Sequence, residues 1–169
     1  MLRLRPYKKC DAKQIVSWIS DERIFRLWCI DRYENYPITA DDMNEYYENT
    51  AFEDNFYPMT AFDETGTVGH LLMSFTDEDK KVLRFGFVII DSTVRKKGCG
   101  QEMMRLALKY AFEILKAERV TIGVVDNNLA AYNCYIKAGF IPAANIEAQH
   151  YDFHGEKWCI KELEYRGDC

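Results

Sequence analysis

The chain has 169 residues, of which 48% are apolar, 29% charged and 14% aromatic; this length predicts one domain with a sizeable core and excludes collagen-like, low-complexity and wholly disordered classes. Its 22 basic and 27 acidic side chains leave a net charge of −5, which argues against a chain-wide nucleic-acid footprint, so no nucleic-acid partner is expected. The longest apolar stretch, Phe85 to Ile90, is too short to span a bilayer, and Met1 to Lys9 carries charge with no apolar run behind it, so neither a membrane partner nor a secretory leader is expected and the cytoplasm is the expected compartment.

Leu2 and Leu4 alternate with Arg3 and Arg5 before Pro6, the pattern of a short first strand. Asp11, with Gln14 three residues on, has the spacing of a helix start, and Ile15, Trp18 and Ile19 share the face that follows. Ile24, Leu27 and Trp28 mark a second short helix. Thr39-Ala-Asp-Asp42 opens a third, through Met43 to Asn49. The period then becomes that of strands: Tyr57 to Phe62, Val68 to Phe75 and Val82 to Ile90, separated by turns at Glu64–Gly66 and Asp77–Lys80. Turns that short allow only antiparallel neighbours. Gly100 opens an amphipathic helix with Met104, Leu108, Ala111 and Leu115 on one side. Val120 to Val125 is the next strand, and the strand–helix–strand order predicts that it runs parallel to the one at Val82. Asn127 to Lys137 is a further helix, ended by Gly139. Two last strands are expected over Phe140–Ala148 and Lys157–Tyr165, the latter with an imperfect alternation that suggests a bulge.

The six cysteines are Cys10, Cys29, Cys99, Cys134, Cys159 and Cys169. None forms a C-x-x-C pair and no His stands at ligand spacing, so free thiols and no metal site are expected.

Two segments carry chemistry. The first, Asp91 to Gln101, joins the long apolar strand to the amphipathic helix. It places Gly98 and Gly100 beside Arg95, Lys96 and Lys97, where free backbone N–H groups gather at a helix start. A helix N-terminus carries partial positive charge and unpaired donors, so it suits phosphate. It matches neither the dinucleotide G-x-G-x-x-G pattern nor the P-loop, and on its own it reads equally well as a glycine-rich turn with solvated charges. The second segment runs from Asp126 to Phe140. Asn128, Ala131, Tyr135 and Gly139 lie three or four apart and so share one helix face. Ala131 leaves room for close approach, and Tyr135 offers an O–H able to donate a proton. Alone, this segment reads as a short helix packed on a core.

Taken together, Arg95-x-x-Gly98-x-Gly100 after one strand and Asn128-x-x-Ala131-x-x-x-Tyr135-x-x-x-Gly139-Phe140 after the next resemble the GNAT superfamily of N-acetyltransferases. The likeness in element order extends from Leu2 to Tyr165. The opening Leu-Arg-Leu-Arg-Pro-Tyr and the late Gly155-Glu-Lys-Trp158 look loosely like the branch that acetylates ribosomal-protein N-termini. The resemblance implies a mixed α/β fold over residues 1–169, with a mostly antiparallel sheet of six to seven strands, about four flanking helices and splayed middle strands. It implies acetyl-CoA as co-substrate, no metal, and an acceptor amine that is a small molecule, a polyamine or a protein N-terminus. It places the pyrophosphate on Lys96, Lys97, Gly98, Cys99, Gly100 and Gln101, with Arg95 adding charge, and pairs the pantetheine with the backbone of Val88, Ile89 and Ile90. Asn128 would contact the pantetheine arm beside Ala131. Tyr135 would protonate the departing thiolate after direct attack of the amine.

The chain departs from the ribosomal-type pattern at one place: a base Glu is expected on the strand before the Asn128 helix, where Gly123 stands. Glu34, His70, Glu147 and His150 are the remaining base candidates, each reading more simply as a core or solvated residue. Asp31, Tyr33, Glu34 and Tyr36 make the stretch from Cys29 to Pro37 aromatic and acidic, suited to admitting a cationic amine. A homodimer through the late strands is an open expectation, as is a non-catalytic acyl-CoA-binding module of the same fold.

Overall fold

An eight-stranded sheet runs through the computed structural model, which describes residues 1–167. Its first four strands are β1 (Arg3–Pro6), β2 (Phe56–Asp63), β3 (Gly66–Phe75) and β4 (Val82–Ile90), joined antiparallel in that order. Next to β4 lies β5 (Arg119–Val125), and these two are parallel. The long strand β8 (Glu156–Arg166) closes antiparallel on β5 and carries both the two-residue β6 (Ile141–Pro142) and β7 (Gln149–Phe153) on its other edge. The parallel pair follows from the connection between its strands. A crossover through the helix α4 (Cys99–Lys109) returns the chain to the same end of the sheet, as the strand–helix–strand order predicted.

Helices cover both faces. α1 (Ala12–Ser17), α2 (Glu22–Cys29) and α3 (Ala40–Thr50) bury Ile15, Phe25, Trp28, Met43 and Tyr47 against Leu72, Phe87 and Ile89 of the sheet. α4 and α5 (Leu129–Ala138) pack on the opposite face, with Met103, Met104, Ala107 and Leu108 against Leu71, Met73, Phe85 and Val120. Among the described residues the sheet therefore has eight strands, one more than expected, and the five α-helices that flank it are those read in chain order.

Three local readings change. Asp11 does not cap α1. Its carboxylate turns inward instead, accepting two hydrogen bonds from Arg5 at 2.7 and 2.8 Å, one from the Lys8 N–H and one from the Thr60 hydroxyl. Phe140–Ala148 does not form one strand. Proline lacks a ladder donor, and pairing ends at Pro142. The missing pairing comes from β7, which turns into β8 through His154 and Gly155, both at positive φ. The register of β8 against β5 is continuous from Arg119↔Arg166 to Val125↔Ile160, so the expected bulge is absent there. Of the cysteines, Cys10, Cys29, Cys99, Cys134 and Cys159 are free thiols, while Cys169 lies outside the described residues. Among the described residues no helix is long and apolar enough to cross a membrane.

The buried polar groups of the α1–α3 face make stability depend on pH. His70 is fully buried, and its Nε2 lies 2.6 Å from the Tyr47 hydroxyl. Burial penalises the charged ring and pulls its pKa from 6.5 to about 4. The unfolded chain therefore binds a proton that the folded chain refuses, and stability falls as pH drops from 6.5 towards 4, by up to about 3 kcal/mol. Burial alone would raise Asp11, but Arg5, the Lys8 N–H and Thr60 outweigh it and hold its carboxyl below the usual value. Asp11 thus adds a second loss only below the ordinary carboxylate range. Urea midpoints measured from pH 7.5 to 4.5 are expected to fall steadily in the native chain and to flatten in His70→Gln. A native midpoint that does not move contradicts this assignment.

Candidate functional site

The parallel pairing of β4 and β5 stops halfway. Val82 to Phe85 register with Arg119 to Ile122, and no pairing between the two strands continues beyond. Ile89 and Ile90 stay attached to β3, and Gly123 to Val125 stay attached to β8. Each strand is held on its outer side, so a gap opens between them. It holds a cavity of about 200 Å³ walled by β4, β5, the start of α5 and the stretch Leu27–Arg32.

β4 bulges at this point. Leu72 faces Gly86 and His70 faces Ile89, so Phe87 and Val88 together oppose Leu71, and Phe87 adopts φ +49°. One extra residue reverses the alternation. Leu83 and Phe85 consequently face α4, whereas Phe87 and Ile89 face α1–α3. The bulge also leaves Phe87 and Val88 outside the β3–β4 register, and both residues line the cavity.

A glycine follows the last paired residue on each strand. A Cβ on Gly86 would lie 2.6 Å from Nη1 of Arg32, and one on Gly123 would lie 2.8 Å from Nη2 of Arg84. Arg84 is fixed by Glu162 of β8, donating two hydrogen bonds of 2.8 and 2.7 Å. The space beside Gly123, where a base carboxylate was expected, is therefore taken by an ion pair reaching over β5. Gly123→Ala must push this pair and Ile160 aside, and is expected to cost about 1–3 kcal/mol of stability. An unaltered thermal melting curve contradicts that packing.

The loop before α4 is exposed from Arg95 to Gly98. Asp91 accepts from the Thr93 N–H and turns the chain. Lys96 and Gly98 then adopt φ +63° and +82°, and Gly98 becomes the N-cap of α4. The N–H groups of Cys99, Gly100 and Gln101 stand at the first turn, without intrahelical partners by position. A Cβ on Gly98 would meet nothing within 4 Å, so its role is conformational. A Cβ on Gly100 would lie 3.3 Å from Cys134 Sγ, so this glycine also lets α4 approach α5. The Gln101 side chain donates to the Lys137 carbonyl at 3.0 Å and is committed to the same packing.

On α5, Asn128 is the N-cap and accepts from the Ala131 N–H at 3.4 Å. Asn128, Ala131 and Tyr135 all line the cavity, as does Val88, whereas Ile89 and Ile90 are absent from its wall. Ile89 is packed against the α1–α3 side and Ile90 against the α4 side. Tyr135 is 6% exposed, and no protein hydrogen bond engages its hydroxyl among the described residues. Burial raises it well above the usual phenol range, so the proton stays on.

None of the four base candidates reaches the cavity. His70 is sealed in the core, while Glu34, Glu147 and His150 are exposed elsewhere. Asp31 is the carboxylate on the cavity wall among the described residues. Cys29 also lines it, and burial pushes this thiol up to about 11. Arg32, Arg84 and Glu162 escaped the sequence reading. Their signal was a glycine inside each of two apolar strands, a mark of close approach by another group.

A family model described as an acetyltransferase (GNAT) domain matches residues 1–141. The chain belongs to the GNAT acetyltransferase family. It is 29% identical over 119 residues to a spermine/spermidine N(1)-acetyltransferase of Bacillus subtilis (strain 168), covering 67% of this chain and 75% of that protein. The solved structure of spermidine N-acetyltransferase from Vibrio cholerae in complex with CoA and spermine matches its fold with a TM-score of 0.82 at 19% identity. That match covers 98% of this chain and 95% of the other. These relatives are polyamine acetyltransferases, whereas the opening and late segments had pointed loosely to the ribosomal type. A GNAT acetyltransferase is an acyltransferase that takes acetyl-CoA as co-substrate and acetylates an amine. This GNAT chain has an unpaired strand edge at the bulge that lines the cavity, and an exposed basic turn at the start of α4 outside the cavity wall. Among the described residues no group of three His, Cys, Asp or Glu side chains converges to hold a metal.

Proposed function

We propose that this chain, acting as one domain over residues 1–169, transfers the acetyl group of acetyl-CoA to a small primary amine inside the β4–β5 cavity. The observation that supports this most is that the unpaired β4 edge, the start of α5 and the buried Tyr135 share one cavity. The exposed turn from Arg95 to Gln101 is assigned to the pyrophosphate, through the backbone N–H groups of 96–101 and the charges of Arg95, Lys96 and Lys97. The β4 edge from Val88 to Ile90, with Asn128 and Ala131 opposite, is assigned to the pantetheine arm. Bound acetyl-CoA supplies a thioester carbonyl that a neutral amine can attack and a thiolate that must be protonated as it leaves. Tyr135 keeps its proton at neutral pH and stands on the cavity wall, so it is the acid for that thiolate. The backbone groups of Phe87 and Val88 at the bulge are assigned to stabilise negative charge on the carbonyl oxygen.

Asp31 is the group assigned to receive the amine's proton, directly or through water. Cys29 stays a thiol at neutral pH, which disfavours a covalent acyl-enzyme and supports direct attack. The named relatives make spermidine and spermine the first acceptors to assay. Release of free thiol from acetyl-CoA, measured with these and a panel of other primary amines, tests the reading. Amine-dependent release supports it. Binding of acetyl-CoA with no release by any amine would leave a non-catalytic acyl-CoA-binding module instead.

A further inference from the structure

Arg32 stands on the cavity wall, its guanidinium over the Phe87 ring, with no hydrogen-bond or ion-pair partner among the described residues. The other arginine of the wall, Arg84, is neutralised by Glu162 at 2.7 Å. Nor does Arg32 point away from the cavity. Its guanidinium lies 4.8 Å from the centre of the Phe87 ring, and its Nη1 occupies the space above Gly86 that a Cβ would fill. Gly86 immediately precedes the bulge at Phe87 and Val88, where an acceptor amine has to meet the thioester on the reading given above. A planar fork of N–H donors is thus held beside the reaction point. It opposes an acceptor that is cationic throughout, and its geometry matches a carboxylate.

We infer that the acceptor carries a carboxylate beside its amine, as an α-amino acid does, and that Arg32 is the residue that binds this carboxylate. The inference rests on the assignment of the cavity to acetyl transfer. An α-amine is two bonds from its carboxyl carbon, so a carboxylate seated on Arg32 over Gly86 leaves the nitrogen beside the bulge. Asp31 precedes Arg32 on the same wall, which gives a zwitterion one group of each sign. The acceptor class therefore differs from the polyamines for which the relatives are named, since spermine and spermidine have no carboxylate.

Thiol release from acetyl-CoA, measured on matched pairs, tests this. Lysine is compared with cadaverine and ornithine with putrescine, alongside spermidine and spermine. The acid of each pair is expected to show a kcat/KM roughly tenfold or more above its decarboxylated partner, the scale of a charge-assisted bidentate contact. Arg32→Ala is expected to erase that preference and Arg32→Lys to keep part of it, with acetyl-CoA affinity unchanged in both. Arg32 is exposed, so the substitutions leave the core intact. Equal or better use of the decarboxylated amines or polyamines overturns the inference, as does an Arg32→Ala loss that falls alike on both members of a pair. Acetyl-CoA binding with no turnover of any amino acid also counts against it. Failure to bind acetyl-CoA at all overturns the underlying assignment instead.

Discussion

Replacing Tyr135 by Phe is expected to leave acetyl-CoA affinity intact and to lower kcat by roughly 10²-fold or more, the scale of a lost general acid. The ring of Tyr135 is packed in the core beside Phe140, at 6.2 Å between ring centres, and Phe preserves that contact. The hydroxyl makes no protein hydrogen bond among the described residues, so its removal leaves no partner stranded. Stability is therefore expected to change little, and the loss should appear in turnover alone. Calorimetric titration of acetyl-CoA, with thiol release measured on the same preparation, separates binding from chemistry. Unchanged turnover would show that the thiolate leaves without help from Tyr135. Loss of affinity as large as the loss of rate would make Tyr135 a binding residue instead.

Gly98→Glu is expected to weaken acetyl-CoA binding by about 100-fold or more. Two effects combine. The new side chain must adopt φ +82°, which costs about 1–2 kcal/mol for a residue other than glycine. It also sets a carboxylate at the start of α4, beside the N–H groups assigned to the pyrophosphate. Opposing charge-assisted hydrogen bonds worth about 1.5–3 kcal/mol accounts for most of the expected loss. Gly98→Ala carries the same backbone cost without the charge and has open space for its methyl group, so it should lose far less affinity. If Ala and Glu weaken binding equally, the loop acts through its shape. If neither does, the pyrophosphate lies elsewhere.

The elements with strong periodicity were legible in the sequence. Val82–Ile90 was read residue for residue, and the parallel partner of that strand followed from the helix between the two. Thr39 with Asp42 was read as a helix start, and both halves of that capping box form. What failed depended on contacts distant in sequence. Asp11 has the spacing of a cap, but Arg5 and Thr60 draw its carboxylate inward, and a buried paired carboxylate outweighs an exposed cap. β7 was missed because its residues are mostly exposed, so burial left no alternation to read. In the site, Asn128, Ala131, Tyr135 and Val88 came together as expected because their spacing follows helix and strand periods. Arg32 and Arg84 could not be found that way. Each is defined by the glycine it covers, and Gly86 and Gly123 become neighbours only after the two strands have paired.

The arginine that covers Gly86 comes from outside the sheet. The side assigned to the donor draws on segments between residues 88 and 135, at the end of β4 and the starts of α4 and α5. The opposing wall comes from Leu27–Arg32, a short stretch near the start of the chain whose arginine lies on glycine backbone without displacing a side chain of the sheet. On the function proposed above, substitution within this stretch would alter which amine is admitted while leaving the strand edge and helix start assigned to acetyl-CoA in place. On that reading the half assigned to the donor would stay constant while acceptor choice diverges, and two chains of this design would share a co-substrate and have no acceptor in common.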